Sequence, residues 1–309
     1  HMDEPIADPA IITAYLVCRE ARPDVTVLLS GVGGDELFAG YRKHSAHSWA
    51  QAYRRLPSVL RRGVIEPALS GLPAMRGSRF KGLSRLSKKM GRSASMSPQD
   101  AFLTNCTYLD PVQKASLYNE ETAAKVAGME AWRQHYSYFK QVEKSDFLNQ
   151  MLYLDTKAFM ISLNLTYNDK MSMASSLEVR VPFLDRELAE FAAWKIPPHL
   201  KLHGFARPTT KYIFRKAMEG ILPPEVLRQP KAGFGAPVDY WLSYDLKEMV
   251  DDLLSETRIR QRGYFEPAAV RRLVEEQRSG HRDWSMQVWQ LLTLELWMQT
   301  FIDGGHPTA

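Results

Sequence analysis

A chain of 309 residues that is 45% hydrophobic and 24% charged, with a net charge of +5 at neutral pH, is too apolar to be disordered and long enough for one large or two ordinary domains. Its uninterrupted apolar runs fall well short of the roughly 18 residues a membrane-spanning helix needs, and no signal-peptide pattern opens it, so a cytoplasmic protein is expected. Two cysteines, Cys18 and Cys106, exclude a disulfide framework and a cysteine-based zinc site.

The leading His1-Met2 pair reads as an expression scar, which leaves the natural start out of view. Residues 9–22 open on Pro9, place Ile11, Ile12, Tyr15 and Leu16 at helical spacing and gather charge at the end, which predicts an amphipathic helix. Residues 25–29 are β-branched and too few for a helix, which predicts a buried strand. The stretch 27-VLLSGVGGDELFAGY-41 then sets a glycine turn between that strand and a second helix. In α/β sheets ligands sit beyond the carboxyl ends of parallel strands, where Ser30, Gly31, Val32, Gly33 and Gly34 would lie.

Residues 54–92 carry eleven Lys or Arg against the single acid Glu66. Such a block can bind nucleic acid through phosphate contacts. Its leucines and valines are also interleaved at helix-like spacing, and the balance favours a solvated helical face. Ser97-Pro98 with Asp100, and 110-DPVQ-113, are helix starts. Residues 145–161 predict one helix with Asp155 as a partly exposed carboxylate on or beside its apolar side. Residues 211–222 and 283–302 predict two further helices, the first stopped by Gly220 and the Pro223-Pro224 pair. The Gly/Pro stretch 229–241, which includes Lys231, predicts an ordered structural loop.

Three places carry chemistry. The glycine turn has neither the Lys-Ser/Thr of a phosphate-binding P-loop nor the dinucleotide spacing, yet its glycines let a backbone approach a phosphate. Asp35 and Glu36 follow at a helix start, where acids complement the dipole; an acid facing polyphosphate would need a cation such as Mg²⁺ between them. Glu178 and Arg180, followed by Val-Pro-Phe-Leu, do not read as a solvated face, which leaves a structural ion pair or the lining of a polar pocket. Lys211 near a helix start is either a surface lysine or a partner for phosphate at that terminus.

Taken in order, SG-x-GGDELFAGY, SLEVRVPFLD, the segment around Lys211 and LPPEVLRQPKAGFGAP resemble the C-terminal synthetase domain of glutamine-hydrolysing asparagine synthetases, from about Asp3 to Trp241. The resemblance implies an α/β fold: a partial nucleotide-binding domain of the pyrophosphatase-loop type, related to the adenine nucleotide alpha hydrolases, with few parallel strands and a predominantly helical remainder. It implies one synthetase segment over 3–309, with 3–45 contributing the nucleotide-site strand and loop, 46–145 a basic helical part and 146–309 a helical part carrying substrate and phosphate motifs.

The implied reaction uses ATP and Mg²⁺ to activate a carboxylate, foremost L-aspartate, as an acyl-adenylate, which ammonia derived from glutamine converts to an amide. Leu29, Ser30 and Gly31, with Gly33 and Gly34, then resemble the nucleotide site. Asp35 resembles the acid that holds Mg²⁺-pyrophosphate, and Lys211 the lysine that neutralises charge on the α-phosphate. Glu178 and Arg180 match the family's pocket region and are catalytic candidates, with Asp169 and Lys170 nearby.

Three departures accompany the resemblance. No copy of the family's Ser-Gly-Gly-x-Asp-Ser loop occurs in these residues, nor does the Cys-initiated glutaminase. Both are expected in cis or on a separate chain, which would leave the isolated chain inactive. Val32 stands where many asparagine synthetases carry an acid, and valine cannot take a proton. That keeps open a ligase for another carboxylate in natural-product or cell-surface biosynthesis. A non-catalytic nucleic-acid module is the more distant alternative, and a homodimer is compatible with all of them.

Overall fold

The computed structural model describes residues 1–60, 63, 96–205, 208–229, 233 and 235–304. Helix α1 (Ala10–Ala21) begins where Asp8 Oδ1 accepts a hydrogen bond from the Ala10 amide at 2.9 Å. Its buried Ala10 and Ala14 let it pack closely on Tyr167 and Met171 of helix Thr166–Ala174. The chain then runs into β1 (Val27–Leu29), two residues shorter at its start than the expected 25–29 and not buried as expected, since Val27 and Leu29 are exposed and only Leu28 is partly covered.

β1 pairs in parallel with β2 (Glu178–Arg180), Leu28 opposite Val179. The ladder continues one step at each end, the Glu178 amide donating to Thr26 and the Ser30 amide to Arg180. A glycine turn leads into α2 (Gly34–Phe38), and a sharp corner at Ala39 and Gly40 into α3 (Arg42–Arg54). A second, antiparallel pair, β3 (Leu202–His203) with β4 (Thr209–Thr210), immediately precedes Lys211. Few strands in a mostly helical α/β chain is therefore what the described residues contain.

The helices around this centre start as their capping chemistry dictates. The Ser97 side chain accepts from the Asp100 amide, and Asp110 with Gln113 closes a reciprocal capping box. The segment expected as one helix over 145–161 is two structures: an α-helix at Phe147–Leu154, then a π-helix at Asp155–Leu165. Apolar periodicity cannot separate these, because the wider turn changes register within a continuous helical run. The helix after Lys211 ends at Ala217, short of the expected 222, and the last long helix is Ser285–Phe301. A hydrophobic core joins Leu117 to the C-terminal helices through Val238, Leu253, Val270 and Leu292. A second core, around Phe102, Met151 and Leu154, lies behind the corner at Ala39. Of the eleven basic residues of the 54–92 block only Arg54 and Arg55 belong to the described residues, and Lys231 also lies outside them.

Lys201 is buried, its Nζ donating to Asn149 Oδ1 at 3.1 Å, with no ion pair among the described residues. Burial pushes its pKa down to about 8. The folded state thus disfavours the charged form, a penalty complete below about pH 8 and gone above the unfolded value of about 10.4. Lys201→Met is expected to raise unfolding stability by about 1–3 kcal/mol at pH 7, with the gain shrinking as pH rises through that window. Urea titrations at pH 7 and pH 10 measure both; an equal gain at the two values would contradict the assignment.

Candidate active site

Beyond the carboxyl end of β1 the chain has to reverse direction at once. Gly33 does this at φ 93°, a conformation that strains any other residue. A Cβ there would stand 2.6 Å from Leu184 Cδ2 and 3.1 Å from Phe183 Cβ, so the short helix Pro182–Leu184 fills the space beneath the turn. Gly34 also faces Phe183. Gly31 has nothing within 4 Å of its Cβ position and is the glycine of the three that faces open space. Ser30 Oγ accepts from the Val32 amide at 3.3 Å, and the exposed Leu29 precedes it.

Lys211 meets Asp35 above this turn, Nζ to Oδ1 at 2.6 Å. Lys211 is itself in the left-handed region, at φ 54°, as the residue preceding helix Tyr212–Ala217. Its amide donates to the Phe38 carbonyl at 3.0 Å, which ties it to the end of α2. Gly40 makes the encounter possible: a Cβ there would lie 1.8 Å from Asp35 Oδ1 and 2.5 Å from Lys211 Cε. Residues 176 positions apart in the chain are thus held in one ion pair by a glycine and a strained lysine backbone.

Asp35 borders a cleft of about 940 Å³ that opens at Leu29, Ser30, Gly31 and Val32. The deeper wall comes from the corner between α2 and α3 and from the π-helix. Glu36 is 1% exposed; its Oε1 accepts from Tyr41 Oη at 2.6 Å and from Asn164 Nδ2 at 2.8 Å. Burial first, and then the Glu36 charge, raises the Tyr41 pKa far above the ordinary phenol value, so that hydroxyl stays protonated. Next to it Asp155, 2% exposed, accepts from Lys43 Nζ at 2.6 Å and from His44 Nε2 at 2.9 Å. Lys43 also lies over the rings of Phe159, Tyr41 and Phe102, at 4.6, 5.1 and 5.1 Å from their centroids.

Two expectations about burial are corrected here. Asp155 is not a partly exposed carboxylate but the centre of a buried cluster, because the π-helix turns it toward α3. Glu178 and Arg180 form an ion pair at 2.7 Å, yet both are more than half exposed. Strand alternation puts them on one side of β2, while Val179 between them lines the cleft. Lys170 is engaged by Asp3 at 2.7 Å, and Tyr167 and Asn168 line the cleft in place of Asp169 and Lys170. Sequence reading did not single out Tyr41, Lys43, Gly40 or Asn164. Gly40-Tyr41 inside the DELFAGY run was the available signal, since a glycine just after a helix marks a required corner.

The fold and the site define an α/β protein with a cleft beyond the ends of its parallel strands, bordered by Asp35 of an acid–lysine pair. The chain belongs to the asparagine synthase family, whose model matches residues 1–299. It is 33% identical over 309 residues to asparagine synthetase [glutamine-hydrolyzing] 1 of Bacillus subtilis, covering 99% of this chain and 45% of that protein. A putative asparagine synthetase [glutamine-hydrolyzing] of Mycobacterium tuberculosis is 31% identical over 98% of this chain and 44% of its own length. Amidase chyE of Penicillium rubens is 30% identical over 133 residues, 42% of this chain and 20% of that protein. The chain thus spans less than half the length of the curated relatives it matches. Among the described residues no helix is long and apolar enough to cross a membrane.

Proposed function

We propose that this chain forms the carboxylate-activating part of an ATP-dependent amide ligase, with L-aspartate as the first candidate substrate and ammonia derived from glutamine as the nitrogen donor. The observation that carries this reading is the Asp35–Lys211 pair set above the glycine turn, at the strand end where ligands of α/β sheets gather. Leu29, Ser30 and Gly31 supply backbone for the nucleotide, while Gly33 and Gly34 keep the turn tight enough to present it. Lys211 places a fixed ammonium where phosphate charge would be neutralised during adenylation.

Mg²⁺ fits as an ion delivered on the nucleotide's own phosphates. Asp35 offers one carboxylate, and no group of three His, Cys, Asp or Glu side chains gathers among the described residues to form a separate cage. Bound in that way it would screen the phosphate charge beside Asp35. A glutaminase and the remainder of the nucleotide site would come from the same or another chain.

The test is ATP–pyrophosphate exchange by the full-length gene product. Exchange that depends on L-aspartate supports the reading. Exchange that requires another carboxylate moves the chain to an amide ligase of different substrate, for which Val32 is the motivating residue. Absence of exchange with every carboxylate offered would remove the reading. The 309-residue chain alone is expected to give none.

A further inference from the structure

Among the described residues three carboxylates line the cleft: Asp8, Asp35 and Glu36. Asp8 is half-buried and caps the first amide of α1. Asp35 holds Lys211. Asp155, behind the wall, is engaged by Lys43 and His44. Glu36 is different: both of its hydrogen bonds fall on Oε1, and no hydrogen bond or ion pair holds Oε2 among the described residues. That oxygen has no partner among the described residues, and on a side chain that lines the cleft it is the one left open to a proton donor arriving there. The side chain of Val32, also on the cleft, has no group that could take a proton.

We infer that Glu36 is the proton acceptor for the attacking amine, held in place by Tyr41 and Asn164. The assignment rests on the amide-forming reading above. In that step the amine nitrogen uses its lone pair to form the C–N bond to the acyl carbon of the acyl-adenylate. The bond from that carbon to the phosphate oxygen breaks, and AMP leaves with the electron pair. The nitrogen, positively charged after addition, gives one proton to Glu36 Oε2 and becomes the neutral amide; the proton later returns to solvent through the cleft. Tyr41 and Asn164 are positioning residues, since their hydrogen bonds to Oε1 fix the carboxylate so that its other oxygen carries the reaction.

Glu36→Gln keeps the shape and one acceptor oxygen but removes the base. In the full-length gene product the ratio of amide formation to ATP–pyrophosphate exchange is expected to fall about a hundredfold. Hydroxylamine, a nucleophile that loses its proton far more readily than ammonium, should recover most of that loss as hydroxamate, because the missing base matters less to it. Tyr41→Phe should lower the same ratio by a smaller factor. Equal loss of exchange and amide formation, or loss that hydroxylamine does not relieve, would make Glu36 structural and overturn the assignment; so would an unchanged ratio. Wild-type protein without any exchange would instead remove the ligase reading, and this assignment with it. Thermal unfolding of Glu36→Gln and Glu36→Asp, read beside the kinetics, separates a folding defect from a lost base.

Discussion

Lys211→Met is expected to lower carboxylate-dependent ATP–pyrophosphate exchange in the full-length gene product by about 10²–10³-fold, the range for removing one preorganised donor from developing charge. Methionine preserves most of the volume and leaves the left-handed backbone and its bond to Phe38 in place, so the change isolates the ammonium. Lys211→Arg should not restore activity. Lys211 Cε packs so closely on Gly40 that a Cβ there would stand 2.5 Å from it, and a planar guanidinium in place of the compact ammonium would displace Asp35 from the contact it makes at 2.6 Å. Exchange rates with varied ATP and varied carboxylate check this directly. Exchange within a few-fold of wild type in Lys211→Met would show that the pair is only structural.

The second large effect concerns folding. Asp155 lies between Lys43 and His44 with almost no access to water, and it joins the π-helix to α3. Asp155→Ala would remove the acceptor of both, leaving the buried His44 and the partly buried Lys43 without it, and breaking such a buried pair typically costs about 3–5 kcal/mol. Urea denaturation of the 309-residue chain should show it as a lower midpoint with an unchanged slope. A loss below about 1 kcal/mol would mean that Lys43 swings into the cleft and that the cluster adds little.

How much of this was legible in the sequence depends on what each signal measures. The strand–turn–helix around Gly33 was readable because a β-branched run, closely spaced glycines and two acids each have a local cause. Helix starts at Pro98 and Pro111 were readable for the same reason: a cap is made within a few residues. Asp155 misled because its burial is decided by α3, more than a hundred positions earlier, and by a helical register that periodicity does not report. The exposure of Glu178 and Arg180 misled in the opposite sense. Two charges among apolar residues suggested burial, but on a short strand they share the side opposite Val179. The Asp35–Lys211 contact itself was beyond reach: each residue could be singled out, but the closeness that Gly40 allows is visible only in three dimensions.

The π-helix has one more consequence. Across its eleven residues it touches the α2–α3 corner repeatedly: Asp155 at Lys43 and His44, Phe159 at Tyr41, and Asn164 at Glu36 and Tyr41. Those contacts depend on each amide reaching one position further back than in an α-helix, so they are set by counting residues and not only by their kinds. Removing or adding a single position inside this stretch would swing Asn164 off Glu36 while Asp155 stayed in place, splitting one wall of the cleft into two that no longer match. Among working relatives, then, the stretch can vary in its letters but is expected to carry no gaps.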